Sequence, residues 1–315
     1  MTAIKFGAVP NQSGVPWEEL LSFWQELDRN SNFDSLWLMD HFVTGFGTSF
    51  GSEGPCLEGW TALAALAQAT SRVRLGILVT GNTYRHPAVL AKQATTVDHI
   101  SGGRLEFGIG AAWHTYEHEA FAIPFPSVKE RGERLEEAVR LIKLLWTQPR
   151  PKLDGKYYQL NAPPYNPPNL QQPHPPILVG GGGEKKTLRI VAEHADVTNV
   201  SGTPEEVRHK FEVLEGHCKE IGRDFSSIRR SIQVPLFMTD DDAFRQRVLG
   251  GMSAATGRTP EEASRALLIG GVEEIKARVQ EYIDAGVQEF MLALWPRFYR
   301  DPVLRFSSEV IPAFR

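Results

Sequence analysis

Residues 72–113, RVRLGILVTGNTYRHPAVLAKQATTVDHISGGRLEFGIGAAW, constrain the fold more than any other part of the chain. Two short apolar runs, 73–79 and 105–109, flank a segment at 87–100 that has helical spacing and opens on Pro87. Strand, helix and strand in that order make a parallel pair with its crossover. Strands apolar on both faces belong in a sheet covered by helices, so the unit predicts an α/β protein with a parallel sheet. Both runs end in polar or glycine-bearing sequence: Leu78, Val79, Thr80, Gly81 and Asn82 after the first, and Gly108 through Gly110, Ala111 and Trp113 after the second. The carboxyl ends of parallel strands are where such folds hold ligands.

The same alternation runs along the rest of the chain. Strands are predicted at 4–9, 35–39, 176–179, 197–200, 228–238 and 288–292 in addition to the central pair. Helices are predicted at 17–30, 60–69, 87–100, 130–146, 184–194, 204–221 and 272–285, with a short polar helix or turn at 114–120. Weaker helical segments at 243–249 and 260–267 are joined by a mobile-looking Gly250-Gly251-Met252-Ser253, and a last helix is expected near 302–310. Eight strands separated by helices over 315 residues fit a single closed (β/α)8 TIM barrel spanning 1–315 better than an open doubly wound sheet. Two stretches break the rhythm. Residues 43–59 are rich in glycine and read as a loop. Residues 147–175 are rich in proline, without helical period, and read as an irregular insertion after the fourth barrel helix.

Composition removes several classes of function. Hydrophobic residues are 42% and charged residues 23%, ordinary for a globular protein. With 34 basic against 38 acidic residues the net charge is −4, which argues against nucleic acid as a partner. Cys56 and Cys218 stand alone, giving neither a disulfide framework nor a cysteine metal site. The chain opens on a strand and has no long apolar run, so no signal peptide and no membrane partner are expected, and a cytoplasmic location fits.

Five local patterns could carry chemistry. Gly180, Gly181, Gly182 and Gly183, followed by Glu184, Lys185 and Lys186, sit where a strand meets a helix, and successive glycine amides there suit a phosphate. Asp40 and His41 end the second strand at the ligand-binding rim, where an imidazole beside a carboxylate can exchange a proton near neutral pH. Gly108-Ile109-Gly110 is a weak dinucleotide signal. His114-Thr115-Tyr116-Glu117-His118 matches H-x-x-E-H, the basis of a zinc-hydrolase alternative using His114 and His118. Residues 47–51 match G-x-S-x-G, but inside a glycine-rich loop, the wrong context for a nucleophilic serine.

Taken together, Ser35 through Asp40-His41-Phe42, Arg74-Leu75-Gly76, Thr83-Tyr84-Arg85-His86-Pro87, Ser101-Gly102-Gly103-Arg104 to Trp113, and residues 175–183 resemble the luciferase-like monooxygenase superfamily, and among its members the F-420-dependent oxidoreductases. The resemblance implies a TIM barrel that binds the deazaflavin coenzyme F-420 and transfers hydride to or from a small organic substrate. On that resemblance Asp40 would bind the ring and His41 would exchange the substrate's proton. Leu78 and Val79 would form a non-proline cis bulge behind the ring, next to Thr80 and Asn82. Gly110, Ala111 and Glu117 would line its far side, and Gly180 to Gly183 would hold the phosphate. The leading alternative is an FMN-dependent monooxygenase using reduced flavin and O2, which would call for a flavin reductase as partner; a homodimer fits either reading. Lys185, Lys186 and Arg189 could meet the acidic tail of F-420. Trp113 stands where the family's sugar-phosphate dehydrogenases carry a glutamate acid.

Overall fold

The computed structural model describes residues 3–10, 12–44, 54–294 and 300–315. Eight parallel strands close on themselves: β1 (Lys5–Val9), β2 (Ser35–Leu38), β3 (Arg74–Ile77), β4 (Leu105–Gly110), β5 (Ile177–Gly180), β6 (Val197–Val200), β7 (Arg229–Met238) and β8 (Glu289–Leu294). Each pairs with the next, and β8 returns to β1 with Phe290 opposite Phe6 and Leu292 opposite Ala8. The predicted (β/α)8 TIM barrel is the observed fold.

Helices α1 (Trp17–Asn30), α2 (Gly59–Ala69), α3 (Pro87–Ile100), α4 (Thr115–Ala120), α5 (Val128–Thr147), α6 (Thr187–His194) and α7 (Pro204–Ile221) follow the first six strands in turn. Their starts are set locally. Ser127 Oγ accepts the Glu130 amide at the start of α5, and Thr203 with Glu206 forms a reciprocal box at the start of α7. Their apolar stripes then face the barrel: Leu135, Val139, Ile142 and Leu145 on α5, and Leu20, Phe23, Trp24 and Leu27 on α1, are all buried. Burying each such side chain contributes roughly 1.5–3 kcal/mol, so these stripes fix the helices far more firmly than propensity does.

Several boundaries differ from expectation for identifiable reasons. The third strand stops at Ile77, the Leu78–Val79 peptide is cis, and Thr80–Gly81 pairs again with Ile109 and Gly110. Residues 184–186 form a turn, so α6 begins at Thr187. The two weaker segments are both helices, but the first, α8 (Asp242–Thr256), does not stop at residue 249 and runs unbroken through Gly250 and Gly251. Each glycine costs about 1 kcal/mol against alanine, which the packing of Phe244, Val248, Leu249 and Met252 against Phe237, Leu267 and Ile269 offsets. After α9 (Pro260–Arg265), a strand too short to read from sequence, Leu268–Gly270, pairs with the far end of β7. It leads into α10 (Val272–Asp284); α11 (Arg300–Arg305) continues as a π turn over Phe306–Val310.

The proline-rich insertion between α5 and β5 contains a hairpin, with Leu153 opposite Leu160, before its irregular part. That part lies over the amino ends of the strands: Gln171 bonds Asp98 and the Leu105 carbonyl, and Arg74 donates to Gln171. It therefore covers the floor of the barrel and leaves the carboxyl rim open. The expected loop at 43–59 loses residues 45–53, and with them the G-x-S-x-G match, to the part of the chain outside the described residues. No helix among the described residues is long and apolar enough to cross a membrane.

Candidate active site

The carboxyl ends of the strands surround a cavity of about 620 Å3, within the range of roughly 300–1,000 Å3 typical of small-molecule sites. Asp40, His41, Leu78, Val79, Thr80, Gly110, Ala111 and all four glycines from Gly180 to Gly183 line it. Two of the expected residues do not. Asn82 is buried beside the cavity with its amide N–H on the Gly110 carbonyl, and neither polar atom of its side chain finds a partner among the described residues. Glu117 stands behind His41, fully buried.

Glu117 sits on α4, a short helix whose N-cap is His114. Its Oε2 lies 2.8 Å from His41 Nδ1 and accepts the Tyr84 hydroxyl at 2.6 Å, while Oε1 accepts the Phe42 and Val43 amides at 2.7 and 3.2 Å. Burial pushes this carboxyl upward, but the bonds from His41, Tyr84 and the Phe42 amide outweigh it and hold the pKa at about 2. An ionised carboxylate only accepts, so the proton it shares sits on His41 Nδ1. That leaves Nε2 as the nitrogen able to give or take a proton on the cavity side.

Asp40 is equally committed. Arg85 reaches both its oxygens, at 2.7 and 2.9 Å, and the Gly81 amide donates to Oδ2 at 3.0 Å. Desolvation still lifts Asp40 to about 6, against the pull of Arg85 and the Gly81 amide. Arg85 also bonds Glu58, which caps α2, so the rim is cross-braced from β2 through residues 81–85 to the second helix.

The H-x-x-E-H match does not bring His114 and His118 together as ligands. His118 places Nδ1 on the His114 carbonyl and Nε2 on Thr83 Oγ1, each at 2.7 Å, and stacks on Tyr84. A different trio, His41, His114 and Glu117, has one ligand atom each within 4.8 Å. In that trio the Glu117 oxygens already hold two backbone amides and a phenol.

At the glycine run, Gly181 has φ +126° and donates to the Asn199 carbonyl, a backbone that only glycine adopts without strain. The Gly182 and Gly183 amides make no hydrogen bond among the described residues. Of the cations expected beside the run, Lys185, Lys186 and Arg189, the second pairs with Glu136 and the third with Glu193 and Glu220. The side chain that passes the run is Lys210 on α7, whose Cε would lie 3.6 Å from a Cβ on Gly182 and whose Nζ is 2.5 Å from Glu184. Sequence reading missed Lys210, Tyr84 and Arg85 as site residues; each meets its partner only through the fold, with Arg85 and Asp40 standing 45 residues apart.

The luciferase-like monooxygenase model matches residues 1–259, and the chain belongs to that family. An F-420-dependent glucose-6-phosphate dehydrogenase from Kineococcus radiotolerans is 29% identical over 306 residues, covering 90% of this chain and 89% of its own. An FMNH2-dependent dimethylsulfone monooxygenase from Pseudomonas putida is 28% identical over 251 residues, covering 73% of this chain and 67% of its own. A solved F-420-dependent secondary alcohol dehydrogenase, in complex with an F-420–acetone adduct, superimposes with TM-score 0.87 over 99% of both chains at 19% identity, a likeness of fold.

Proposed function

We propose that the protein is an oxidoreductase that passes hydride between coenzyme F-420 and a small organic substrate, with His41 exchanging the substrate's proton. The observation that carries this reading is the Glu117–His41 pair, which turns one imidazole nitrogen toward a cavity of ligand size. A Cβ on Gly110 or on Gly180 would meet Val79 at 2.8 or 2.9 Å, so glycine at both places lets that side chain sit between β4 and β5 in the cavity wall.

When bound, the deazaflavin supplies the hydride chemistry that no side chain offers. Leu78 and Val79 would back the ring, Gly110 and Ala111 would flank it, and Asp40, held by Arg85, would present a fixed carboxylate at its edge. Thr80 would complete that wall, with Asn82 buried behind it. The Gly182 and Gly183 amides, with Lys210 beside them, would hold the phosphate. His41 Nε2 would take a proton from the substrate or return it, its ring kept in place by Glu117.

Titrating the purified protein with F-420 and with FMN, each followed by its own fluorescence, tests the reading. Tighter binding of F-420 is expected. Tight FMN binding without F-420 binding would overturn it and favour a monooxygenase that uses reduced FMN, as the Pseudomonas relative is named, with a separate flavin reductase as its partner.

A further inference from the structure

Trp113 is among the most exposed large side chains of the protein, at 58%, yet it forms part of the cavity wall. Its ring centroid is 5.4 Å from that of His41, edge-on at 75°, and 4.9 Å from that of His114. The indole is placed there by a built turn. Ala112 just before it has φ +59°, a conformation that costs an alanine free energy, and Arg131 reaches from α5 to bond the Ala111 and Ala112 carbonyls while lying over Phe125.

Taking His41 as the proton-exchanging group, on which this step rests, the reacting atom of a substrate must come within about 3 Å of Nε2. The substrate's body then lies within one ring's width of the indole. Across the barrel from β4 the cavity wall is Pro235 and Phe237 of β7, Met252 of α8 and Leu294 of β8. Among the described residues the lining includes no lysine and no arginine. Its ionisable side chains are Asp40, His41 and Tyr84, and Arg85, Glu117 and Glu117 respectively already engage them. A phosphate dianion in this part of the cavity would find no lysine or arginine among the described lining residues and would share that lining with the Asp40 carboxylate, an arrangement that disfavours it. Gln233 and Ser201 offer neutral polar contacts instead.

We infer that the substrate is an uncharged alcohol or its carbonyl partner with an apolar, ring-sized body, and that Trp113 is the residue that selects it. In the oxidative direction the carbinol C–H bond breaks and its electron pair leaves as hydride to oxidised F-420. The hydroxyl proton passes to His41 Nε2 and a C=O bond forms, so the alcohol loses the two electrons that the coenzyme gains.

Cyclohexanol and glucose 6-phosphate are the probes. With F-420 present, kcat/KM for cyclohexanol should exceed that for glucose 6-phosphate by about a hundredfold or more. Trp113→Ala should raise KM for cyclohexanol by about tenfold with kcat within about threefold, Trp113→Phe should recover most of the loss, and the F-420 dissociation constant should not move. Preference for glucose 6-phosphate would overturn the substrate class while leaving the F-420 reading intact. An unchanged KM in Trp113→Ala would remove Trp113 from selection. Should F-420 not bind at all, the proposed function falls, and calorimetric titration of the protein with cyclohexanone and with glucose 6-phosphate still decides this inference. Binding of cyclohexanone at least about tenfold tighter supports it, and any other result overturns it.

Discussion

His41 Nδ1 and Glu117 Oε2 are 2.8 Å apart, and the second oxygen of the same carboxylate accepts the amides of Phe42 and Val43. One buried side chain therefore fixes both the imidazole and the backbone that carries it out of β2. The consequence is a ring that can neither swing away nor change tautomer without breaking bonds in a buried place, which is the condition for an efficient proton transfer at Nε2.

Replacing His41 by Gln should lower turnover by about a hundredfold or more while the dissociation constant for F-420 changes by less than about threefold, because the role proposed for the group is exchange of the substrate's proton and not cofactor binding. Steady-state kinetics beside a binding titration measure both. Turnover within about threefold of the unmodified protein would remove His41 from the mechanism.

Glu117→Gln keeps the shape and loses the charge. It should reduce kcat by about tenfold or more with little change in KM, and combined with His41→Gln it should add almost nothing, since both act through one ring. The same variant has a stability signature. The folded pKa of Glu117 lies at about 2, below its ordinary 4.5, so its contribution is fully present above pH 4.5 and is lost as pH falls through 2. Urea midpoints of the two proteins should therefore differ at pH 6 and converge toward pH 2; a constant difference would show that the charge is not what stabilises.

The barrel was legible because its signals are local. Apolar runs with turn residues mark each strand, and Thr203 with Glu206 or Pro87 mark helix starts within one turn of sequence. The rim was legible as far as it is made of consecutive residues, namely Asp40-His41 and the glycine run. What the sequence hides is pairing across the barrel. Nothing near Glu117 shows that it serves His41, because 76 residues separate them, and Lys210 reaches the glycine run from the helix after the next strand. The ion pairs of Lys186 and Arg189 were hidden for the same reason: their acidic partners Glu136 and Glu220 are remote in sequence and adjacent in space.

The phosphate end can be tested on two residues that the fold alone brings together. Gly182→Val would put a side chain between the backbone amides and a phosphate, and Lys210→Met would remove the cation beside it. Each should raise the F-420 dissociation constant, the first by about tenfold or more and the second by about threefold, since a half-exposed pair is well screened. Lys185→Met should have a smaller effect than Lys210→Met. Equal F-420 binding by Gly182→Val and the unmodified protein would place the phosphate elsewhere.

At the opposite end of the barrel, the floor carries a charge arrangement with a measurable pH dependence of its own. Glu289 opens β8 and Glu106 lies near the start of β4, both buried, with Arg229 of β7 between them, 2.5 Å from Glu289, and Arg74 2.7 Å from Glu106. Desolvation lifts Glu289 to about 7, against the attraction of Arg229, with the neighbouring Glu106 pushing the same way. A carboxyl whose folded pKa stands above its ordinary 4.5 favours folding while protonated, so this contribution is complete below pH 4.5 and is lost as pH rises through 7. Asp40 has a shift of the same sense, and it cancels when two proteins that both contain it are compared. Glu289→Gln, permanently neutral and of the same size, should not suffer that loss. Its stability relative to the unmodified protein should rise steadily from pH 4.5 to 7, read as the difference in urea midpoints, while F-420 binding stays unchanged because Glu289 is outside the cavity lining. A difference that is flat over that interval would mean that Glu289 is ionised throughout and that Arg229 holds it so.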